Sequence, residues 1–255
     1  GARYAGAQDR LRFGEYRVPA RASMAETRYL LVSGNIVQHA ITGAEGLSSW
    51  EVVALLNESE LLTGEIEDAP PEGSLAPQTY AVQRGDARAE VIARMQALQR
   101  EILAEAWAAR APDAQVETPE EALILASIIE KETGVDGERR MVSSVFNNRL
   151  DRGMRLQSDP TIIYGITEGK GPLGRGILRS EIRAPTPWNT YVIDGLPPTP
   201  IANPGRDAIF AAVQPADTDY VYFVADGTGG HAFARTLAEH NRNVAAWRAI
   251  ERADQ

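Results

Sequence analysis

The 255-residue chain contains no cysteine, three histidines and few aromatic residues, which make up 7% of the sequence. The absence of cysteine excludes disulfides, thiolate metal sites and cysteine nucleophiles. His39 lies far from His231 and His240, and no pair has the His-x-x-x-His spacing of a zinc site. We therefore expect no bound metal.

Basic residues are also scarce: 26 Lys and Arg stand against 35 Asp and Glu, which gives a formal net charge of −9. No basic run could follow a phosphate backbone, so nucleic acid is not an expected partner. The glycine-rich stretch 226–230 lacks the Gly-Lys-Ser/Thr ending of a nucleotide-binding loop, and no Gly-x-Ser-x-Gly motif is present. We expect no cofactor.

Long hydrophobic runs are absent as well. The most apolar run, residues 122–129, is much shorter than the ~20 residues that span a bilayer. Because the chain begins with Gly1 and not with Met, we expect residues 1–10 to be a leader that followed a removed membrane anchor.

The pattern of elements predicts an α+β protein with a small strand and helix module, residues 11–66, before a larger domain, residues 67–255. In the module, residues 14–18 and 37–42 have strand character, and Ser23 and Ser48 each begin a capping box. Glycine, proline and acidic residues accumulate after residue 64, which places the boundary there. We expect residues 67–255 to remain folded without the module.

The larger domain has clear helix-start signals. They predict helices that begin at Asp86, Thr118, Gly137, Asp159-Pro160, Asn203-Pro204 and Thr236. A proline-rich ordered loop over residues 184–205 and a hairpin over residues 220–233 complete the prediction.

The helix that follows Thr118 is apolar on all sides until its last turn, where Glu130 and Glu132 appear. Burial against apolar groups raises the pKa of a carboxyl group and suits it to proton transfer at pH 7. Glu132 follows the apolar stripe of Leu125, Ile128 and Ile129, and this favours Glu132 over Glu130. The alternative is that both are solvated acids at the end of a core helix.

Several motifs in order resemble one known family, the MltG or YceG-like lytic transglycosylases. They are Leu125–Thr133, Val145–Leu150, Met154–Thr161, Asn189–Tyr191, Gly195–Pro198, Asn203–Gly205, Tyr222–Val224 and Glu239–Asn241. The resemblance is strong over residues 61–255, and the first module more weakly resembles a LysM-like subdomain.

The resemblance implies that the catalytic position is Glu132, with Glu130 as the second candidate. It also implies substrate-binding roles for the motif residues Gln157, Asp159, Asn189 and Tyr191. Tyr164 is a further substrate-binding candidate because its aromatic ring offers a face on which a sugar can stack. Each has a structural alternative: Asp159 caps a helix, Asn189 bridges backbone groups of the proline-rich loop, and Tyr164 packs in the core.

The family activity implied is endolytic cleavage of peptidoglycan between N-acetylmuramic acid and N-acetylglucosamine, with formation of 1,6-anhydromuramic ends. The implied location is the extracytoplasmic (periplasmic) face of the inner membrane, through an N-terminal anchor, with cell-wall synthases as partners. Two alternatives remain. One is a hydrolytic muramidase with a second carboxylate such as Asp159, and the other is a wall-binding scaffold without turnover.

Overall fold

The computed structural model describes residues 14–135 and 137–253 as a mixed helix and sheet structure, which agrees with the predicted α+β class. The predicted leader, residues 1–10, lies outside the described residues. The helices are α1 Met24–Ser33, α2 Ser49–Glu58, α3 Arg88–Ala108, α4 Pro119–Glu132, α5 Arg139–Asp151, α6 Asp159–Thr167, α7 Arg179–Ile182, α8 Arg206–Val213 and α9 Leu237–Ala253. The strands are β1 His39–Thr42, β2 Thr79–Val82, β3 Tyr222–Ala225 and β4 His231–Ala234.

The helix starts of the small module follow the predicted capping boxes. Ser23 and Ser48 each accept a hydrogen bond from the third helical N–H, and the carboxylate of the glutamate at that position accepts one from the cap backbone N–H. The strand predicted over residues 14–18 is wrong, because this stretch has no strand structure. A backbone hydrogen bond from Val37 N–H to the Glu15 carbonyl at 2.7 Å joins it to the segment that follows α1.

Four helix starts differ from the prediction by one or two residues, and one of them is α5, which begins at Arg139 and not at Gly137. Asp86 does not cap α3, since its carboxylate accepts from Gln83 N–H at 2.8 Å. Ser158 and not Asp159 is the N-cap of α6, and Gly205 is the N-cap of α8. In each case the proline or acid lies close to the cap, and the backbone turn decides which residue occupies it.

Helix α4 is the centre of the larger core. Thr118 caps its first turn as predicted, and Ala122 and residues 124–129 are buried. It packs against α3, α5, α6 and α8, and Phe146, Leu156 and Ile209 complete the same core. The last turn of α4, with its two glutamates, is therefore fixed in position from several directions.

A second core joins the small module to the rest of the chain. Strand β1 pairs antiparallel with β2, which lies beyond the predicted boundary at 66/67. The buried residues of this core come from both sides of that boundary: Ile41, Val52, Val53, Leu56, Leu62, Leu75, Tyr80, Val82, Val91, Ile92 and Met95. The boundary predicted from composition therefore falls inside one packed unit.

Helix α3 connects the two cores. Its first half contributes Val91 and Met95 to the second core, and its second half contributes Ile102 and Ala106 to the core around α4. At the C-terminal end, the predicted hairpin is confirmed as β3 and β4, and α9 packs against both strands. Within the described ranges, no helix has the length and apolarity to cross a bilayer.

Candidate active site

Glu132 is the last residue of α4, and its carboxyl group lies against the beginning of α6. Ser158 Oγ donates a hydrogen bond to Glu132 Oε1 at 2.5 Å. Glu132 retains partial exposure while protein atoms surround the carboxyl group. A buried acid that keeps an open side is what a proton donor to a bound substrate requires.

Ser158 is held in place by the proline-rich loop. Its backbone N–H donates to Thr190 Oγ1 at 2.9 Å, and the Gln157 N–H donates to the Thr190 carbonyl at 3.1 Å. Thr161 Oγ1 lies 2.6 Å from the Ser158 carbonyl and 2.9 Å from Thr190 Oγ1. These bonds bring together two motifs that lie about thirty residues apart in the sequence.

Asp159 and Tyr191 form a hydrogen-bonded pair beside the acid. The Tyr191 hydroxyl donates to Asp159 Oδ1 at 2.6 Å. Burial and Asp159 both raise the pKa of Tyr191, so its hydroxyl stays protonated and keeps donating. The structure thus places two of the predicted substrate-binding residues together near Glu132.

The side chains of Arg149 and His231 also interact electrostatically with Glu132. Arg149 is buried, and its guanidinium donates to the carbonyls of Val221 and Leu156, each at 2.7 Å. His231 is fixed by Glu138, which accepts from the His231 backbone N–H at 2.9 Å and lies 2.6 Å from its Nδ1. Both residues are close enough to interact electrostatically with Glu132.

Burial is the main cause that raises the pKa of Glu132 to about 7, and the neighbouring charge of Asp159 contributes to the same shift. The hydrogen bond from Ser158 and the charges of His231 and Arg149 oppose this shift. The position of Glu132 at the negative end of the α4 dipole also disfavours the carboxylate. At neutral pH the group is therefore poised to give up or accept a proton.

A raised pKa predicts a pH-dependent gain in stability for the Glu132→Gln variant. Because the folded state binds the Glu132 proton more tightly than the unfolded state, this proton contributes stability that is fully present below the ordinary glutamate pKa of 4.5. That stability is lost as pH rises through the folded-state pKa of about 7. The variant should therefore unfold like the wild type at pH 4, and should be more stable above pH 7 by roughly 2–3 kcal/mol. Urea unfolding across this range measures the difference.

The matched control is Glu120→Gln, which removes an exposed acid from the first turn of the same helix. Its stability difference from the wild type should not grow between pH 4.5 and 7 in the way expected for Glu132. A Glu132→Gln difference that stays constant across this range would contradict the raised pKa.

Glu130, the second catalytic candidate, has a different environment. Its side chain is 5% exposed, Gly205 N–H donates to its Oε2 at 2.8 Å, and its Oε1 lies 3.6 Å from Arg139 Nη2. Burial raises its pKa, and the Gly205 hydrogen bond opposes that rise. The carboxyl group thus joins the end of α4 to the start of α8. The alternative that both glutamates are solvated is wrong.

Gln157 and Asn189 are placed differently from each other. Gln157 is exposed and has a left-handed φ of 50°, which turns the chain just before the Ser158 cap. Asn189 is 1% exposed, and its amide donates to the carbonyls of Glu181, Ile182 and Ala184. Asn189 therefore has the backbone-bridging role that the sequence left open, and its amide N–H groups are not directed to a substrate.

Tyr164 does not join Glu132 and Asp159. Five residues after Asp159 correspond to a rotation of about 140° around α6, so Tyr164 lies on another face. Its hydroxyl donates to Glu72 Oε2 at 3.2 Å, and its ring packs edge-on against Trp188 with centroids 5.4 Å apart. It lines a separate cavity next to α6.

Six residues that build the site were not predicted from the sequence to be functional: Ser158, Thr161, Thr190, Arg149, Glu138 and His231. Ser158, Thr161, Thr190 and Arg149 lie inside the motifs quoted for the resemblance, next to residues that were chosen. The sequence signal that could have identified the hydroxyl residues is that Ser or Thr occurs in both neighbouring motifs, Met154–Thr161 and Asn189–Tyr191. Nothing in the local pattern links Glu138 to His231, which are 93 residues apart.

Residues 1–246 match the model of the YceG-like family. The chain belongs to this family. Over 173 residues it is 36% identical to a Bacillus subtilis protein named endolytic murein transglycosylase. Over 180 residues it is 34% identical to a Streptococcus pneumoniae protein of the same name. The fold is similar to the crystal structure of a YceG-like protein from Listeria monocytogenes, with a TM-score of 0.64, 26% identity and coverage of 94% of this chain and 87% of that chain.

The match covers 68% of this YceG-like chain but only part of the curated relatives. It spans 47% of the Bacillus protein and 32% of the Streptococcus protein. These matches establish the family of this chain. The activity for which the longer proteins are named is only a proposal for this chain.

Proposed function

We propose that this YceG-like protein is an endolytic lytic transglycosylase. Its proposed substrate is the β-1,4 bond between N-acetylmuramic acid and N-acetylglucosamine in nascent glycan strands. The main support is the Glu132 carboxyl group, which is enclosed at the end of α4, bonded by Ser158 and raised in pKa to about 7. The name endolytic murein transglycosylase, carried by both relatives, supports the substrate class.

In the proposed mechanism Glu132 acts first as an acid and then as a base. The protonated carboxyl gives its proton to the glycosidic oxygen as the bond to C1 of muramic acid breaks. The C6 hydroxyl of the same sugar then attacks C1, and its proton passes to the Glu132 carboxylate. One fragment ends in 1,6-anhydromuramic acid, the other gains a free hydroxyl, and no water is consumed.

Asp159 gives the hydrolytic alternative a specific basis. Its carboxylate is near enough to raise the pKa of Glu132, and a second carboxylate is what a muramidase needs to activate water or attack carbon. Against this, one oxygen of Asp159 already accepts the Tyr191 hydroxyl at 2.6 Å. We therefore assign Asp159 and Tyr191 to binding or orienting the sugar beside Glu132.

Digestion of purified glycan strands in oxygen-18 water tests the reaction type. If Glu132 alone transfers the proton, the new muramic ends should carry no oxygen-18 and should resist borohydride reduction. The masses of the two fragments should sum to the mass of the substrate. Mass spectrometry of the fragments measures all three properties.

Muramic ends that carry oxygen-18 and are reduced by borohydride would show that the protein is a muramidase and not a transglycosylase. In that case Asp159→Asn should abolish the labelled product. Strands that bind but remain uncleaved would favour the scaffold alternative. The Glu120→Gln variant is the matched control, because its exposed acid is in the same helix but in the first turn.

We extend the proposal to location and partners on the basis of the family resemblance. The site would act on the periplasmic or extracytoplasmic face of the inner membrane, where glycan strands are made, with an N-terminal single-pass anchor preceding the chain. Cell-wall synthases that supply nascent strands would be its partners. The LysM-like character of the first module belongs to the same proposal.

A further inference from the structure

A cavity of about 290 Å³ lies beside α6, and Asp159 is not among its lining residues. It is bounded by the beginning of α2, by α6 and by the glycine-rich segment 169–173. The residues that carry its chemistry are Glu51, Lys131, Ile163, Tyr164, Leu173 and Ile201. None of these residues takes part in the proton transfer described above.

The cavity is close to Glu132 through two connections. Lys131, on its rim, is the residue immediately before Glu132 in α4. Helix α6 provides Pro160, Ile163 and Tyr164 to the wall, and its N-cap Ser158 is bonded to the Glu132 carboxyl group. Lys131 and α6 therefore connect the cavity to the Glu132 site.

The lining suits a small group with apolar parts. Ile163, Leu173, Ile201 and two prolines present mainly hydrocarbon. A sugar ring with several hydroxyl groups would lose hydrogen bonds to water here without replacing them. Methyl side chains of a short peptide would instead gain from burial on this surface.

Lys131 adds a positive charge at the rim. Its ammonium group donates to the Gly46 carbonyl at 3.1 Å, and the side chain is exposed. An ammonium group has three N–H donors, so donors remain for a carboxylate of a ligand. The cavity thus combines an apolar floor with two charged groups: Lys131, which can pair with an acidic group, and Glu51, whose carboxylate accepts from Ser48 N–H at 2.9 Å.

We propose that this cavity binds the short peptide carried by the lactyl group of muramic acid, with its methyl side chains on the apolar floor and a carboxylate near Lys131. The inference rests on the proposed function, since it requires a murein strand at Glu132. It adds a second recognition site to that strand, so that strands bearing peptides are preferred over bare ones.

The test measures binding and not cleavage, so that it is separate from the test of the reaction. The Glu132→Gln protein is titrated with glycan strands of one length, either bearing peptides or stripped of them by an amidase. Peptide-bearing strands should bind about tenfold tighter. Leu173→Trp, added to the same background, should fill the cavity and bring the ratio of the two dissociation constants to about one.

Lys131→Gln should lower the ratio by about threefold, as expected for an exposed ion pair. The matched control is Lys170→Gln, since Lys170 is the other lysine of the chain and pairs with Glu168 outside the cavity lining. The control should keep the full ratio. Melting curves confirm that each variant is folded.

Equal binding of both strands by the parent protein would overturn the inference. A Leu173→Trp variant that weakens both strands equally would also overturn it, because the cavity would then hold the sugar. A protein that shows the binding preference but no cleavage in the oxygen-18 assay would leave this inference standing and refute the proposed reaction.

Discussion

Replacing Glu132 by glutamine is expected to reduce cleavage of glycan strands at least about a thousandfold, because one carboxyl group performs both proton transfers. The amide can still accept the hydrogen bond from Ser158 that Glu132 accepts now, so the fold and strand binding should persist. Fragment release followed by chromatography gives the rate, and binding of strands by the variant shows that the site is intact.

Glu130→Gln distinguishes the two candidate acids. The Glu130 carboxyl group is directed to Gly205 and Arg139, and its replacement should lower stability while cleavage remains measurable. Near wild-type turnover in Glu132→Gln, together with loss of turnover in Glu130→Gln, would move the catalytic role to Glu130.

The second large effect concerns the first module. A chain that begins at residue 67 is expected to lose its cooperative fold, although the composition predicted an independent domain. The truncation removes Ile41, Val52, Val53, Leu56 and Leu62 from a core that Leu75, Tyr80, Val82, Val91, Ile92 and Met95 share. It also leaves β2 without its partner β1. Near-ultraviolet circular dichroism and urea unfolding measure the outcome.

A point substitution tests the same packing more gently. Leu56 is 1% exposed, so Leu56→Ala should cost about 2–5 kcal/mol in the free energy of unfolding. Trp50→Ala, in the same helix but 45% exposed, is the matched control and should cost less than about 1 kcal/mol. A truncated chain that melts cooperatively near the wild-type temperature would restore the predicted boundary.

Local chemistry made parts of the site predictable from the sequence. Glu132 stood out because an apolar helix ended in charge, and Asp159 and Tyr191 stood out because they occupy family motifs. The structure brings these three residues together. The roles of Gln157 and Tyr164 in substrate binding stay predictions, whereas Asn189 uses its amide on the loop backbone.

The sequence by itself determined the family, the class of fold and the capped starts of α1, α2, α4 and α9, and it predicted Glu132 over Glu130 as the catalytic acid. These depend on hydrogen bonds within one turn of helix and on apolar spacing, which are local properties. Only the tertiary structure decided that α3 joins two cores, that Ser158 bonds to Glu132, and that Glu138 fixes His231. Such contacts join residues 26 to 93 positions apart, and no local pattern encodes which of many distant polar groups will meet.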